Sequence, residues 1–234
     1  MVNPYEHTKE IINTVKNKTN RVLVFYSGGK DSIAMLDMVA KNFEEVVCVF
    51  MYFVKGLEHT ERYIGFSEKR YKNIKFLKKP HWGLTKIHSV GMYCKPQKIR
   101  QLSLKDIVKV AKLETGIDYV FIGEKKNDSL QRRVKLGTYE MGAISPTNIV
   151  YPLSEWSDKD VLRYIERNKL PKPVSYSGKR QNGVMFDLGV FLYLRENYPN
   201  DLKKILEAYP LSGKILFDYD QKIQRERKKA SLAE

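Results

Sequence analysis

Residues 21–40 read RVLVFYSGGKDSIAMLDMVA: an apolar run, a short polar turn with two adjacent glycines, and a second apolar run with different spacing. RVLVFY is continuous rather than alternating, the pattern of a strand buried on both faces, as in parallel sheets. Ile33, Ala34, Leu36, Met38 and Val39 suit a largely buried helix. A strand that turns directly into a helix leaves backbone N–H groups unpaired beyond its carboxyl end, where open α/β sheets bind ligands. Gly28 and Gly29 let the backbone approach an anion closely, and the helix that follows contributes the positive end of its dipole. Lys30 supplies a mobile cation, and Ser27 and Ser32 can donate hydroxyl hydrogen bonds. GxxxxGK[ST], the other well-known phosphate loop, is absent. The alternative is an ordinary glycine turn, which a lysine, an aspartate and two serines in six residues disfavour.

Outward from this loop the same alternation continues. EEVVCVFMYF at 44–53 is a second continuous apolar strand, followed by an expected helix over 58–72, a short strand near NIKFL, a helix over 101–114 and the strand DYVFIG at 118–123. An amphipathic helix at 6–18 precedes the first strand, and NIVYPLSEW forms the last. Strands alternating with helices predict a doubly wound, mostly parallel α/β sheet. In SDKDVLRYIERNKLP, Ser157 caps a helix with Asp160 reaching back, and Pro171 and Pro173 end it. Helices near 187–197 and 200–208 and a basic C-terminal helix complete the chain. We therefore expect an α/β nucleotide-binding domain over 1–170 and a helical basic extension over 171–234. The polar stretch 124–147 is long enough to be a closing basic lid or a solvated excursion.

The 42 Lys+Arg against 27 Asp+Glu give a formal charge of +15. Such a field attracts polyanions, nucleic acid or nucleotide, although solvated lysine faces that keep a protein soluble produce the same balance. Cys48 and Cys94 are the two cysteines, without paired or metal-like spacing, which excludes a disulfide scaffold and fits a cytoplasmic protein. No run approaches the roughly 20 apolar residues of a membrane span, and MVNPYEHTKE lacks the apolar core of a signal peptide, so no membrane partner is expected.

The SGGKDS loop resembles the PP-loop of the ATP pyrophosphatases, or adenine nucleotide alpha hydrolases, and more of the chain is similar to phosphoadenylylsulfate reductase-like proteins. Pro152, Trp156, Asp160, Val161, Tyr164, Ile165, Leu170, Pro171 and Tyr176 match one family segment. GEKKNDSLQRR matches another through Gly123, Lys125, Asp128, Ser129, Arg132 and Arg133, and CKPQK at 94–98 matches a third. The resemblance covers roughly residues 20–185. It implies that Ser27, Gly28, Gly29, Lys30, Asp31 and Ser32 hold the anionic part of an adenine nucleotide, with adenine near Met51, Tyr52 and Phe53, and with Gly123 and Ser129 adjoining. It implies catalytic roles for Lys30, Asp31, Arg132 and Arg133, and substrate contacts for Lys98, Lys125, Trp156 and Arg180. The implied cofactor is ATP or phosphoadenylylsulfate with Mg²⁺, Asp31 being either a metal ligand or a brace for the loop.

The pattern also breaks in two places. Thiol-dependent sulfonucleotide reductases carry a nucleophilic cysteine near the C-terminus, whereas this chain ends RERKKASLAE. In RQNGVMFDLG, Val184 and Asp187 stand where many relatives have thiols, and Tyr93 stands beside Cys94 where cluster-binding relatives have a cysteine pair, so no iron-sulfur cluster is expected. Cys94 is left as a sulfur carrier or as packing. Lys30 favours the ATP-cleaving branch, because a triphosphate brings more charge to neutralise. Three readings follow: an enzyme that cleaves ATP to AMP and pyrophosphate and adenylates an acceptor, a sulfonucleotide reductase-type enzyme without its own redox cysteine, or a non-catalytic nucleic-acid-binding module. Nucleic acid is an expected partner, and a homodimer remains an open option.

Overall fold

The computed structural model describes residues 3–173 and 186–231. In chain order the elements are α1 (Pro4–Lys16), β1 (Arg21–Tyr26), α2 (Lys30–Ala40), β2 (Glu45–Tyr52), α3 (Glu58–Arg70), β3 (Ile74–Pro80), α4 (Gly83–Val90), α5 (Leu104–Thr115), β4 (Val120–Phe121), α6 (Leu130–Gly137), β5 (Ile149–Val150), α7 (Asp158–Arg167), α8 (Leu188–Asn197), α9 (Pro199–Ala208) and α10 (Lys214–Ser231). A single 3-10 turn, Lys126–Asp128, leads into α6, and another, Pro210–Gly213, into α10.

Five strands form one sheet in the order β3-β2-β1-β4-β5. β1 pairs in parallel with β2 from Arg21↔Glu45 to Tyr26↔Phe50, and with β4 through Leu23↔Val120 and Val24↔Phe121. β4 in turn pairs in parallel with β5. The continuous apolar composition of β1 and β2 is explained by this placement: β1 lies between two neighbours, and Val22, Leu23, Val24, Val46, Val47, Cys48 and Val49 are all buried. The chain proceeds from β1 outward to β2 and β3, then returns to the other side for β4 and β5. The order therefore reverses between β1 and β4, the switch point at which an open parallel sheet leaves a crevice beyond its strand ends. The expected doubly wound α/β fold is the observed one.

Contacts divide the chain into two groups, one comprising residues 1–52, 62–79 and 103–173, the other 53–61, 80–102 and 174–234. The second group thus takes in two internal segments, 53–61 and 80–102, as well as the C-terminal helices. In the first group α2 is buried from Ser32 to Ala40 and packs in the main core with Ile11, Ile12 and Val15 of α1 and Val161 and Ile165 of α7. α1 starts where it does because Asn3 Oδ1 accepts from the N–H of Tyr5 at 3.0 Å and Pro4 occupies its first turn. α7 begins at a capping box in which the Ser157 hydroxyl and N–H both donate to Asp160.

One buried carboxylate ties three of these segments together. Asp37 of α2, fully buried, accepts from Tyr71 Oη at 2.5 Å, Tyr164 Oη at 2.6 Å and Lys41 Nζ at 2.5 Å. Burial alone would raise its pKa, but those donors outweigh it and hold the carboxyl below its usual range. The second group has its own small core of Val190, Phe191, Leu194, Leu202, Ile205 and Leu57. There Asp201 accepts from the N–H groups of Glu58 and His59, at 2.8 and 2.9 Å, satisfying amides at the start of α3 that have no acceptor within the helix.

Candidate nucleotide site

The loop between β1 and α2 stands at the switch point, beside the chain that leaves β4. Gly28 adopts a φ of +73°, a region side chains enter at a cost, which is why glycine is needed there. Gly29 is the N-cap of α2 and offers no side chain to its amides. The first amides of a helix have no internal acceptor, so those of Lys30 and Asp31 are available to an anion at the turn. The serines shape the turn: Ser32 Oγ donates to Gly29 O at 2.9 Å and accepts from Ser27 N–H at 3.2 Å, and the two hydroxyls lie 3.2 Å apart. Gly123, just beyond β4, is the point of closest approach, since a Cβ there would lie 3.3 Å from Asp31 Cβ.

Around this turn the charges are nearly matched. Lys125 Nζ meets Asp31 Oδ1 at 2.6 Å, Asp128 Oδ1 at 3.1 Å and Asp158 Oδ1 at 3.3 Å. Lys30 Nζ lies 3.0 Å from Asp31 Oδ2 and 3.3 Å from Asp158 Oδ1. Arg132 Nη1 donates to Asp128 Oδ2 at 2.9 Å, and both Arg132 and Lys135 approach Glu124. Four cations, Lys30, Lys125, Arg132 and Lys135, thus face four carboxylates, Glu124, Asp31, Asp128 and Asp158. An anion is attracted here by the amides and by a redirected Lys30, not by a surplus of basic side chains.

The two lysines differ in kind. The Lys125 side chain is 1% exposed, and although burial alone would lower its pKa, Asp31 and Asp128 outweigh that and hold the ammonium above its usual range. Asp158 is the reverse case: burial would raise its pKa, but Lys125 and Lys30 prevail and keep it below the usual carboxylate range. Lys30, by contrast, is partly exposed on a flexible stem at the rim. It can leave its carboxylates for a ligand; Lys125 cannot do so without uncovering three.

The expected residues are thus only partly brought together. Ser27 to Ser32, Gly123, Lys125 and Arg132 converge, and Ser129 N-caps α6 by accepting from Arg132 N–H at 3.2 Å. Arg133 is exposed on α6 with no ion pair among the described residues. Met51 and Tyr52 are half-buried at the end of β2, while Phe53 and Lys98 belong to the second contact group, where Phe53 stacks on His81 at 4.4 Å. Arg180 lies outside the described residues. Two roles take a different form from the one expected. Trp156 is 3% exposed, with its Nε1–H donating to Thr8 Oγ1 at 2.8 Å, so its ring belongs to the core and not to a substrate. Lys125 braces carboxylates instead of reaching outward. Asp158 and Glu124 were not anticipated; Asp158 reads in sequence only as a favourable acid in the first turn of a helix.

A magnesium ion takes open oxygen ligands, one or two carboxylates together with substrate phosphates. Both oxygens of Asp31 are engaged by ammonium groups, Oδ2 by Lys30 and Oδ1 by Lys125. Among the described residues there is also no group of three or more His, Cys, Asp or Glu suited to a metal.

The phosphoadenosine phosphosulfate reductase domain family matches residues 21–187, more than half of the chain. This chain belongs to that family. The match begins at the first residue of β1, contains the whole charged crevice, and places the chain in the PP-loop, adenine nucleotide alpha hydrolase-like superfamily. No curated protein matches the sequence. Family members bind adenine nucleotides of the ATP or phosphosulfate type, the ligand class that the amide-lined turn suits. Among the described residues no helix is long and apolar enough to cross a membrane.

Proposed function

We propose that this family member binds ATP with its phosphate chain on the 27–32 turn and cleaves it between the α- and β-phosphates, adenylating an acceptor. The observation that carries the reading is the position of Lys30: it opens α2 directly after a glycine N-cap, and its partly exposed ammonium is held beside the turn by Asp31 and Asp158. In the reaction an acceptor oxygen attacks the α-phosphorus, the bond to the bridging oxygen breaks, and pyrophosphate leaves with the electron pair. Such transfer depends on positioning and charge neutralisation more than on covalent participation by the protein. Lys30 would exchange Asp31 and Asp158 for phosphate oxygens, Arg132 would do the same from α6, and Lys125 would keep Asp31 from repelling the ligand. Adenine would rest near Met51 and Tyr52 at the end of β2.

Isotope-labelled ATP tests this directly: pyrophosphate and adenylated acceptor should appear in equal amounts when an acceptor is supplied, with AMP released only once a nucleophile displaces it from the acceptor. Lys30→Ala should reduce the rate by about 10²–10³-fold, the effect typical of removing one donor to developing charge, while leaving the melting temperature nearly unchanged. Absence of turnover with every acceptor refutes it.

The family's name supports a second reading, in which the same turn holds phosphoadenylylsulfate and a partner supplies the missing thiol. Calorimetry comparing the two nucleotides separates them, since tighter binding of the sulfonucleotide would reverse the order of preference.

A further inference from the structure

A second concavity lies in the same contact group, lined by α1, the end of α2 and one face of α7. It measures about 1260 Å³ and is walled by Lys9, Lys41, Arg163 and Arg167, with Glu155 and Asp160 as its carboxylates. With Glu6 and Asp37, the carboxylates that pair Lys9 and Lys41, four cations meet four anions here too, but the two arginines are weakly paired. Lys41 is held at 2.5 Å by the buried Asp37, and the loosely held cations are the two arginines. Arg167 has no ion pair among the described residues, Arg163 meets Asp160 only at 3.5 Å, and Lys9 pairs with the exposed Glu6. Arg163 and Arg167 stand one turn apart on α7, about 6 Å along its axis, so they can engage successive phosphates of one strand.

The floor is aromatic. Tyr5 is 44% exposed, and its ring lies 6.3 Å from Tyr164 and 6.5 Å from the buried Trp156. Exposed aromatic faces within a basic groove are the means by which proteins hold unpaired bases, one surface taking the stack and the other the phosphates. The volume exceeds the roughly 300–1,000 Å³ of most small-molecule pockets. An acidic peptide would use the arginines and leave the rings idle, and a bilayer surface cannot enter a concavity.

We propose that this groove binds a single-stranded polynucleotide, its phosphates on Arg163 and Arg167 and a base against Tyr5. The site is distinct from the nucleotide turn, yet α7 serves both: Asp158 at its start faces Lys30, and Arg163 and Arg167 further along face the groove.

Fluorescence anisotropy of the full chain with labelled oligo-dT and oligo-U, over a salt series, tests the proposal. No ATP is present, so the outcome is independent of whether the crevice cleaves nucleotides. Arg163→Ala with Arg167→Ala should weaken binding at least tenfold and reduce the slope of log K against log salt by about 1.4, at about 0.7 per single-strand phosphate. Tyr5→Ala should weaken it about tenfold. Both sites are at the surface, and a thermal melt checks that the variants fold. Lys222→Ala with Arg225→Ala on α10 removes equal charge elsewhere and should leave affinity within twofold. Overturning results are absence of oligonucleotide binding, unchanged affinity in the arginine variant, an equal loss in the α10 variant, or tighter binding of polyglutamate or phosphatidylserine vesicles than of either oligonucleotide.

Discussion

Replacing Lys125 by methionine keeps the length and apolar stem of the side chain while deleting an ammonium that three carboxylates share. At about 3 Å each contact has a gross Coulomb energy of several kcal/mol for an effective dielectric near 20, and dehydration of the buried ammonium offsets most of it. What remains after the substitution is Asp31, Asp128 and Asp158 facing one another without their common partner. Removing one member of a buried ion pair costs about 3–5 kcal/mol. Because the aspartates are 22% to 46% exposed, water relieves part of that, and a loss of about 3 kcal/mol is the appropriate expectation. For a chain of this size each kcal/mol moves the melting temperature by about 2–4 °C, giving a fall of about 6–12 °C at pH 7. The pH dependence gives the mechanism its signature. The Lys125 pKa is raised above its ordinary 10.5, so its contribution is fully present below that value and is lost as pH rises through the folded one. The Asp158 pKa is lowered from 3.8, so its contribution is present above 3.8 and is lost as pH falls through the folded value. Between those limits the difference between the wild type and Lys125→Met should be constant, and below about pH 3.8 it should shrink as Asp158 protonates. Thermal denaturation followed by circular dichroism at pH 3, 5, 7 and 9 measures this. An unchanged melting temperature at pH 7, or a difference of the same size at pH 3, would refute the reasoning.

Two further outcomes follow from the same residues. Gly28→Ala meets only ordinary contacts, the nearest being Tyr63 at 3.9 Å, so its cost is the backbone's: about 1–2 kcal/mol for a φ of +73°, read as a lower urea midpoint with the m-value unchanged. Asp37→Asn should cost about 2–4 kcal/mol, because the buried donors of Tyr71, Tyr164 and Lys41 lose a charged acceptor. Since the Asp37 pKa is lowered, its contribution is lost as pH falls through the folded value, and the Asn variant should show a shallower acid limb in a stability profile, whereas parallel profiles would contradict the assignment.

Where the sequence was legible, a single physical pattern governed the segment. RVLVFY and EEVVCVFMYF have no polar alternation because they lie deep in the sheet, and the observed β1 and β2 fall within them. The turn at 27–32 could be read because glycine, lysine and serine each do something there that neighbouring residue types cannot. DYVFIG was harder: only Val120–Phe121 pair as a strand, since the chain leaves the sheet at once to build the crevice. The helix Gly83–Val90 was missed, its eight residues being too short for a clear period. The polar stretch after Gly123 left a lid and a solvated excursion equally open, yet it folds as a 3-10 turn and α6. Its charges find partners at Asp31 and Asp158, residues far away in sequence, and no local pattern announces such pairs. Lys125 illustrates the point, because a lysine between a glutamate and another lysine looks solvated until the fold surrounds it.

The carboxylate of Asp37 has a mechanical consequence. It sits two turns into the helix that carries the anion-binding turn, and it is moored to tyrosines from two other segments. The helix therefore cannot slide along its own axis when an anion arrives, and its leading amides keep their place whether or not cargo is aboard. Selection among tetrahedral groups must come from side chains that swing at the rim, with the amide platform acting as a fixed gauge.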